Sequence, residues 1–135
     1  MESTNLKSTI LACDDVAAHI KLLKLVVKDM GWKIVIAASK AKAIARLSKI
    51  RPAVVTTDLT PDHEPDGADA FDLIRAIRAY DVRITVIVIS GGLNTAQARK
   101  ARRLADLCLR KPFDPLMLRK AIEKGLAVIG RPRSN

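Results

Sequence analysis

Aromatic residues are scarce in this chain: one Trp, one Tyr and two Phe in 135 residues, 3% in all. Apolar residues nonetheless make up 49%. The chain should therefore fold rather than stay disordered, and its core must be built from Ile, Val, Leu and Ala. Cysteine is nearly absent. Cys13 and Cys108 stand far apart with no CxxC spacing, which suggests neither a disulfide framework nor a zinc site. Long apolar runs are missing as well. No stretch approaches the roughly 18 residues that would mark a bilayer span, and residues 1–7 have no apolar signal core. The default expectation is a reducing, cytoplasmic location without membrane insertion. Internal repeats, linkers and low-complexity segments are absent too. The chain reads as one domain, 1–135, with a core of about 8–128 and a frayed tail at 131–135.

Acidic residues run short in one place. Residues 90–135 hold 11 of the 24 Lys and Arg but only 3 of the 14 Asp and Glu. The formal net charge of +10 is thus concentrated in the last third. Such a balance points to an acidic partner: nucleic acid, an anionic membrane surface or an acidic protein. The bland alternative is a solvated surface that only aids solubility.

What is present is a regular alternation. Residues 8–13 read as a short buried strand running into Asp14-Asp15. From Val16 to Met30, Ile20, Leu23, Val26 and Val27 recur at helical spacing, with Lys21, Lys24 and Lys28 opposite and Gly31 as a stop. Trp32 to Ala38 is β-branched and apolar, a second strand. Ser39 can cap a helix with Ile44 and Leu47 inward, which Pro52 ends. A third strand, Ala53 to Thr57, ends on Asp58, and a loop rich in Pro, Asp and Gly follows over 59–67. A helix over about 68–79 carries Phe71, Ile74 and Ile77 on one face. The strand-like run Ile84 to Ile89 ends at Ser90-Gly91-Gly92. An Arg-rich helix follows over 95–104, then a short strand, 107–109, closed by Lys111-Pro112-Phe113. Asp114 can cap a last helix, to about 129, with Pro115 at its first position.

Continuous apolar strands alternating with helices predict a doubly wound α/β fold: a parallel five-stranded sheet covered on both faces, in a flavodoxin-like (βα)5 sandwich. The order 2-1-3-4-5 suits five strands and puts the ends of strands 1 and 3 side by side. Asp14, Asp15 and Asp58 would then share one crevice, with Ser90 and Lys111 at the ends of strands 4 and 5. Carboxylates this close repel one another unless a cation is present. A hard ion such as Mg²⁺, which takes oxygen ligands and keeps several waters, resolves the repulsion. A carboxylate nucleophile beside a hydroxyl and a lysine is a layout for phosphoryl transfer.

Asp14-Asp15, Asp58, Ser90 and Lys111-Pro112-Phe113, in this order after these strands, resemble the receiver domain of two-component response regulators, in particular the chemotaxis-type stand-alone receivers. The resemblance covers about residues 8–128. It implies that Asp58 is the phosphoacceptor, taking a phosphoryl group from a histidine kinase or histidine phosphotransfer protein. It implies that Asp14, Asp15, Asp58 and the backbone carbonyl of Thr60 hold Mg²⁺, with Asp14 acting directly or through water. Ser90 would turn toward the phosphoryl group, Lys111 would pair with its oxygens, and Pro112 would fix the lysine loop, by a cis bond if one forms. The chain would be no enzyme beyond its own phosphorylation and dephosphorylation. With no effector domain expected, output would pass by docking of a protein on the basic helix 4–strand 5–helix 5 face.

Several positions depart from the family pattern. The loop from Asp58 to Gly67 is one residue longer, with Pro61 one residue early and without the usual Met before it. Leu104 stands where a helix-ending Gly is expected. Cys108 replaces the usual Tyr or Phe that swings inward, so the aromatic half of that switch cannot operate. Gly91 and Gly92 follow Ser90 and should loosen their loop. His19 and His63 are expected at the surface, Cys108 as a small strand side chain, and Trp32 packed at a strand edge.

Three other readings compete. The first is a receiver-fold binding module that signals without phosphorylation. The second is a phosphatase with an aspartyl nucleophile. It is disfavoured because Thr60 stands where a second Asp would be wanted. The third is a basic adaptor contacting nucleic acid. It is disfavoured because no helix or arm placed to enter a duplex is evident.

Overall fold

The computed structural model describes residues 9–59, 69–91 and 96–129, with side chains through residue 125. Thr60, Pro61, His63, Gly92, most of the 59–67 loop and the 131–135 tail lie outside them. Ten elements alternate: β1 (Thr9–Cys13), α1 (Ala17–Asp29), β2 (Lys33–Ala37), α2 (Lys40–Ile50), β3 (Val54–Asp58), α3 (Ala70–Tyr80), β4 (Thr85–Ser90), α4 (Ala96–Leu104), β5 (Leu107–Arg110) and α5 (Pro115–Ile129). The strands form one sheet in the order β2-β1-β3-β4-β5. Every pairing is parallel, as the alternation predicts.

Successive strand side chains point to opposite faces, and this sorts the core into two layers. Ile10, Ala12, Val54, Ile87 and Ile89 meet Leu23, Val26 and Val27 of α1 and Leu118 and Ile122 of α5. Leu11, Cys13, Val55, Val86 and Val88 meet α2, α3 and α4 on the other side. Each buried Val, Leu or Ile stabilises the fold by roughly 1.5–3 kcal/mol relative to exposure. β3 and β4 are buried along their whole length, which is why Val86 to Ile89 of β4 reads as a continuous apolar run.

Helix starts follow side-chain chemistry. The Ser39 side chain accepts from Lys42 N at 3.2 Å, and Asp114 Oδ1 accepts from Met117 N at 2.8 Å. α3 begins later than its apolar period suggests. Asp69 and Asp72 form a reciprocal capping box, each carboxylate accepting the other's backbone N–H at 2.9 Å, and this sets the first turn at Ala70. α1 ends at Gly31, whose φ of +79° is left-handed backbone that glycine adopts without strain.

α4 is the least apolar helix and buries only Ala98 and Ala101. The turn after it contains no left-handed residue, although Leu104 replaces the expected glycine. The Arg78 guanidinium takes over part of the capping. It donates to Leu104 O at 3.2 Å, to Ile84 O at 2.9 Å and to Asp106 Oδ2 at 3.1 Å. Asp106 Oδ2 in turn accepts from Val86 N at 2.7 Å. One α3 side chain thus joins the start of β4 to the end of α4.

α5 is anchored by close approach. A Cβ at Gly125 would lie 2.3 Å from Thr85 Cγ2, and Thr85 Oγ1 donates to Gly125 O at 3.0 Å. Only a residue without a side chain lets this helix rest so close to the first residue of β4.

Candidate functional site

The register of β1 against β3 pairs Cys13 with Thr57, so the next residues, Asp14 and Asp58, stand at neighbouring strand ends. Both are buried, at 5% and 8% exposure. β1 and β3 lie together because the chain reverses direction across the sheet between them, and an open α/β sheet has its crevice at that point.

β4 and β5 supply the opposite wall. Ser90 is the last residue of β4 rather than a residue beyond it, and it pairs with Arg110. Lys111 N donates to Ser90 O at 2.9 Å, continuing the ladder by one bond. Lys111 then turns its side chain inward, and its Nζ donates to Asp58 Oδ2 at 3.1 Å. The Lys111–Pro112 peptide bond is cis. Asp58, Lys111 and the buried Ser90 therefore occupy the three central and outer strand ends in the predicted arrangement.

On the β1 side the two adjacent acids separate. Asp14 extends the β1 ladder, donating its N–H to Ala37 O at 3.1 Å, and its carboxylate is enclosed. Its Oδ1 accepts from Val16 N at 2.8 Å, and its Oδ2 lies 3.2 Å from His19 Nδ1. Asp15 is exposed on the turn into α1. Among the described residues, no group of three or more His, Cys, Asp and Glu side chains converges to hold a metal ion. Mg²⁺ does not require such a cage, since one or two carboxylates and water suffice. The two buried, hard carboxylates Asp14 and Asp58 fit that requirement. Thr60, the expected carbonyl donor, lies outside the described residues.

Two further residues at this end of the sheet carry little sequence signal. His19, expected at the surface, reaches Asp14, and its ring also lies 6.1 Å from that of Phe113. The clue available was its place in the first turn of α1, five residues after Asp14. Lys40, at the first turn of α2, is buried at 5% exposure, although nothing in the helical period marks it as inward.

Cys108 is half-buried against the α2–α3–α4 layer. Burial pushes its thiol pKa up, with nearby Arg102 pulling partly back, so the thiol stays protonated and is a poor nucleophile. No helix among the described residues is long and apolar enough to cross a membrane.

Fold and site together define a flavodoxin-like α/β domain with an acidic crevice at the switch of strand order, faced by a lysine from the last strand. The family model described as the response regulator receiver domain matches residues 10–123, and the chain belongs to that family, which works in two-component signalling. Among solved structures it is similar to a response regulator receiver domain protein from Clostridium thermocellum, with 23% identity and a TM-score of 0.77 over 90% of this chain and 95% of that one. It is similar to the chemotaxis response regulator CheY4 of Vibrio cholerae, at 21% identity and a TM-score of 0.76, covering 87% and 98% of the two chains. It also resembles NtrX from Brucella abortus, with 26% identity and a TM-score of 0.80 over 90% of this chain and 27% of that longer one. No curated protein matches the chain.

Proposed function

We propose that this receiver is a phosphoacceptor, with Asp58 taking a phosphoryl group from a histidine kinase or histidine phosphotransfer protein. The observation that carries this reading is the 3.1 Å contact from Lys111 Nζ to Asp58 Oδ2, at a strand end that also brings a second buried carboxylate, Asp14, alongside. In the transfer, an Asp58 carboxylate oxygen attacks phosphorus, the bond from phosphorus to the donor breaks, and the donor keeps the electron pair. Lys111 is placed to neutralise the oxygens of the transferred group, and the Ser90 hydroxyl is a donor at the end of β4. Mg²⁺ would be held by Asp14, Asp15, Asp58 and the Thr60 carbonyl. When bound, it supplies charge neutralisation for the phosphoryl oxygens.

The protein acts as a signal carrier in a reducing cytoplasm rather than as an enzyme with an external substrate. Its output surface is the basic face of α4, β5 and α5, where Arg99, Lys100, Arg102 and Arg103 are exposed. An acidic protein is the partner such a face fits.

Mass spectrometry after incubation with acetyl phosphate and Mg²⁺ tests the reading. One phosphoryl adduct is expected on the wild type and none on Asp58→Asn. No adduct, or one that survives the substitution, removes it. A second reading, docking without phosphorylation, is favoured by Cys108 at the position of the usual aromatic. It predicts that Asp58→Asn binds partners as the wild type does.

A further inference from the structure

His19 touches two parts of the site at once. Its Nδ1 lies 3.2 Å from Asp14 Oδ2, and its ring packs at 6.1 Å and a 48° tilt on Phe113, within the range of a favourable aromatic pair. Phe113 closes the loop that carries Lys111, and Lys111 bonds to Asp58. From one side chain on α1, one contact leads to the acid on β1 and the other to the cation after β5. Three-quarters of the His19 side chain is covered.

The contact with Asp14 completes a clamp. Oδ1 is held by the Val16 backbone N–H at 2.8 Å and Oδ2 by His19, so the carboxylate cannot rotate without losing a bond. An ionised carboxylate only accepts. Nδ1 is therefore the donor of this contact. Carboxylates that ligate metals bind more tightly when outer partners fix their orientation, and removing such a partner typically costs about 10–100-fold in metal affinity.

The geometry points to His19 as a positioning residue for the Asp14 carboxylate, one that sets the Mg²⁺ affinity of this site. This rests on the reading of Asp14 as a Mg²⁺ ligand. His19 is not itself a ligand here: it acts on the metal through Asp14.

Two substitutions separate its contacts. His19→Phe keeps a ring against Phe113 and removes the donor. His19→Asn places an amide N–H where Nδ1 stands and removes the ring. Mg²⁺ titration by isothermal calorimetry on the whole chain, with thermal unfolding in Mg²⁺-free buffer as the control on folding, gives the answer. His19→Phe is expected to raise the Mg²⁺ Kd by about 10-fold or more, while His19→Asn stays close to wild type and both melt normally. If His19→Phe binds Mg²⁺ as the wild type does, or if His19→Asn loses as much as His19→Phe, the positioning role is overturned and the Mg²⁺ reading stands. If the wild type itself shows no Mg²⁺ binding, the Mg²⁺ reading falls and the role of His19 falls with it.

Discussion

α4 and α5 cover the same pair of strands from opposite faces, and they are held in opposite ways. α5 is held by volume: Leu118 and Ile122 are fully buried, and Gly125 sits against Thr85. α4 offers the sheet two alanines. Its remaining ties include the Arg78 bond to its last carbonyl and the Lys100 ammonium 4.5 Å over the Phe71 ring. It also carries four cations and no acid in nine residues, so its own charges repel one another. Local stability in a domain follows buried apolar contact. α4 should therefore open more readily than α5, although both border the proposed output face.

The contrast can be broken first at α5. Leu118→Ala should cost about 2–5 kcal/mol of global stability, read from the urea midpoint. Ala98→Gly in α4 should cost only about 1 kcal/mol, and an equal loss at the two sites would dissolve the distinction. Next comes Arg78→Ala. It leaves Asp106, whose side chain is 7% exposed, without its guanidinium partner, at a cost of about 3 kcal/mol. Amide exchange should rise in α4 and at the start of β4 and change little in α5. Exchange that rises equally everywhere would make Arg78 a global brace instead.

Gly125→Ala should cost about 1–3 kcal/mol through the clash with Thr85 Cγ2, and Thr85→Ser in the same chain should restore part of it. Absence of any such rescue would mean that α5 relaxes by another route. Lys100→Met removes the cation over Phe71 and should cost about 0.5–1 kcal/mol, with the loss seen in α4 exchange before it appears in the melting temperature.

The smallest effect concerns pH. The Asp69 backbone N–H, and then Arg75, hold the Asp72 carboxyl below its usual value of 3.8. A folded value lower than the unfolded one means that the stability Asp72 contributes is present above about pH 3.8 and is lost as pH falls through the lowered value. A melting curve of Asp72→Asn should therefore differ from wild type at neutral pH and converge with it in acid.

Much of this architecture can be read before any coordinates. Strands buried on both faces leave unbroken runs such as Val86 to Ile89, and parallel order follows from helices between them. Asp58 stands out as the acid that closes a buried strand, and Lys111 as the head of Lys111-Pro112-Phe113 after the last strand. Other features leave no local trace. Arg78 and Asp106 are 28 residues apart, and neither sits in a motif. The Asp69–Asp72 capping box lies in a stretch already crowded with acids at positions 62, 64 and 66. Asp14 and Asp15 are alike as letters. Only the ladder decides between them, because it carries Asp14 one bond further along β2 and lets Asp15 fall on the turn. The Cys108 and Leu104 departures are visible in sequence. The way Arg78 serves the α4 terminus is not.

The backbone bond from Lys111 N to Ser90 O, 2.9 Å long, has a mechanical consequence. It places the base of the lysine and the hydroxyl-bearing residue on one shared rung. A force that displaces the Lys111 loop, including one delivered through Phe113, is transmitted to the end of β4. Cation and hydroxyl are thus geared together through the backbone, at a bond with no side chain that substitution could remove.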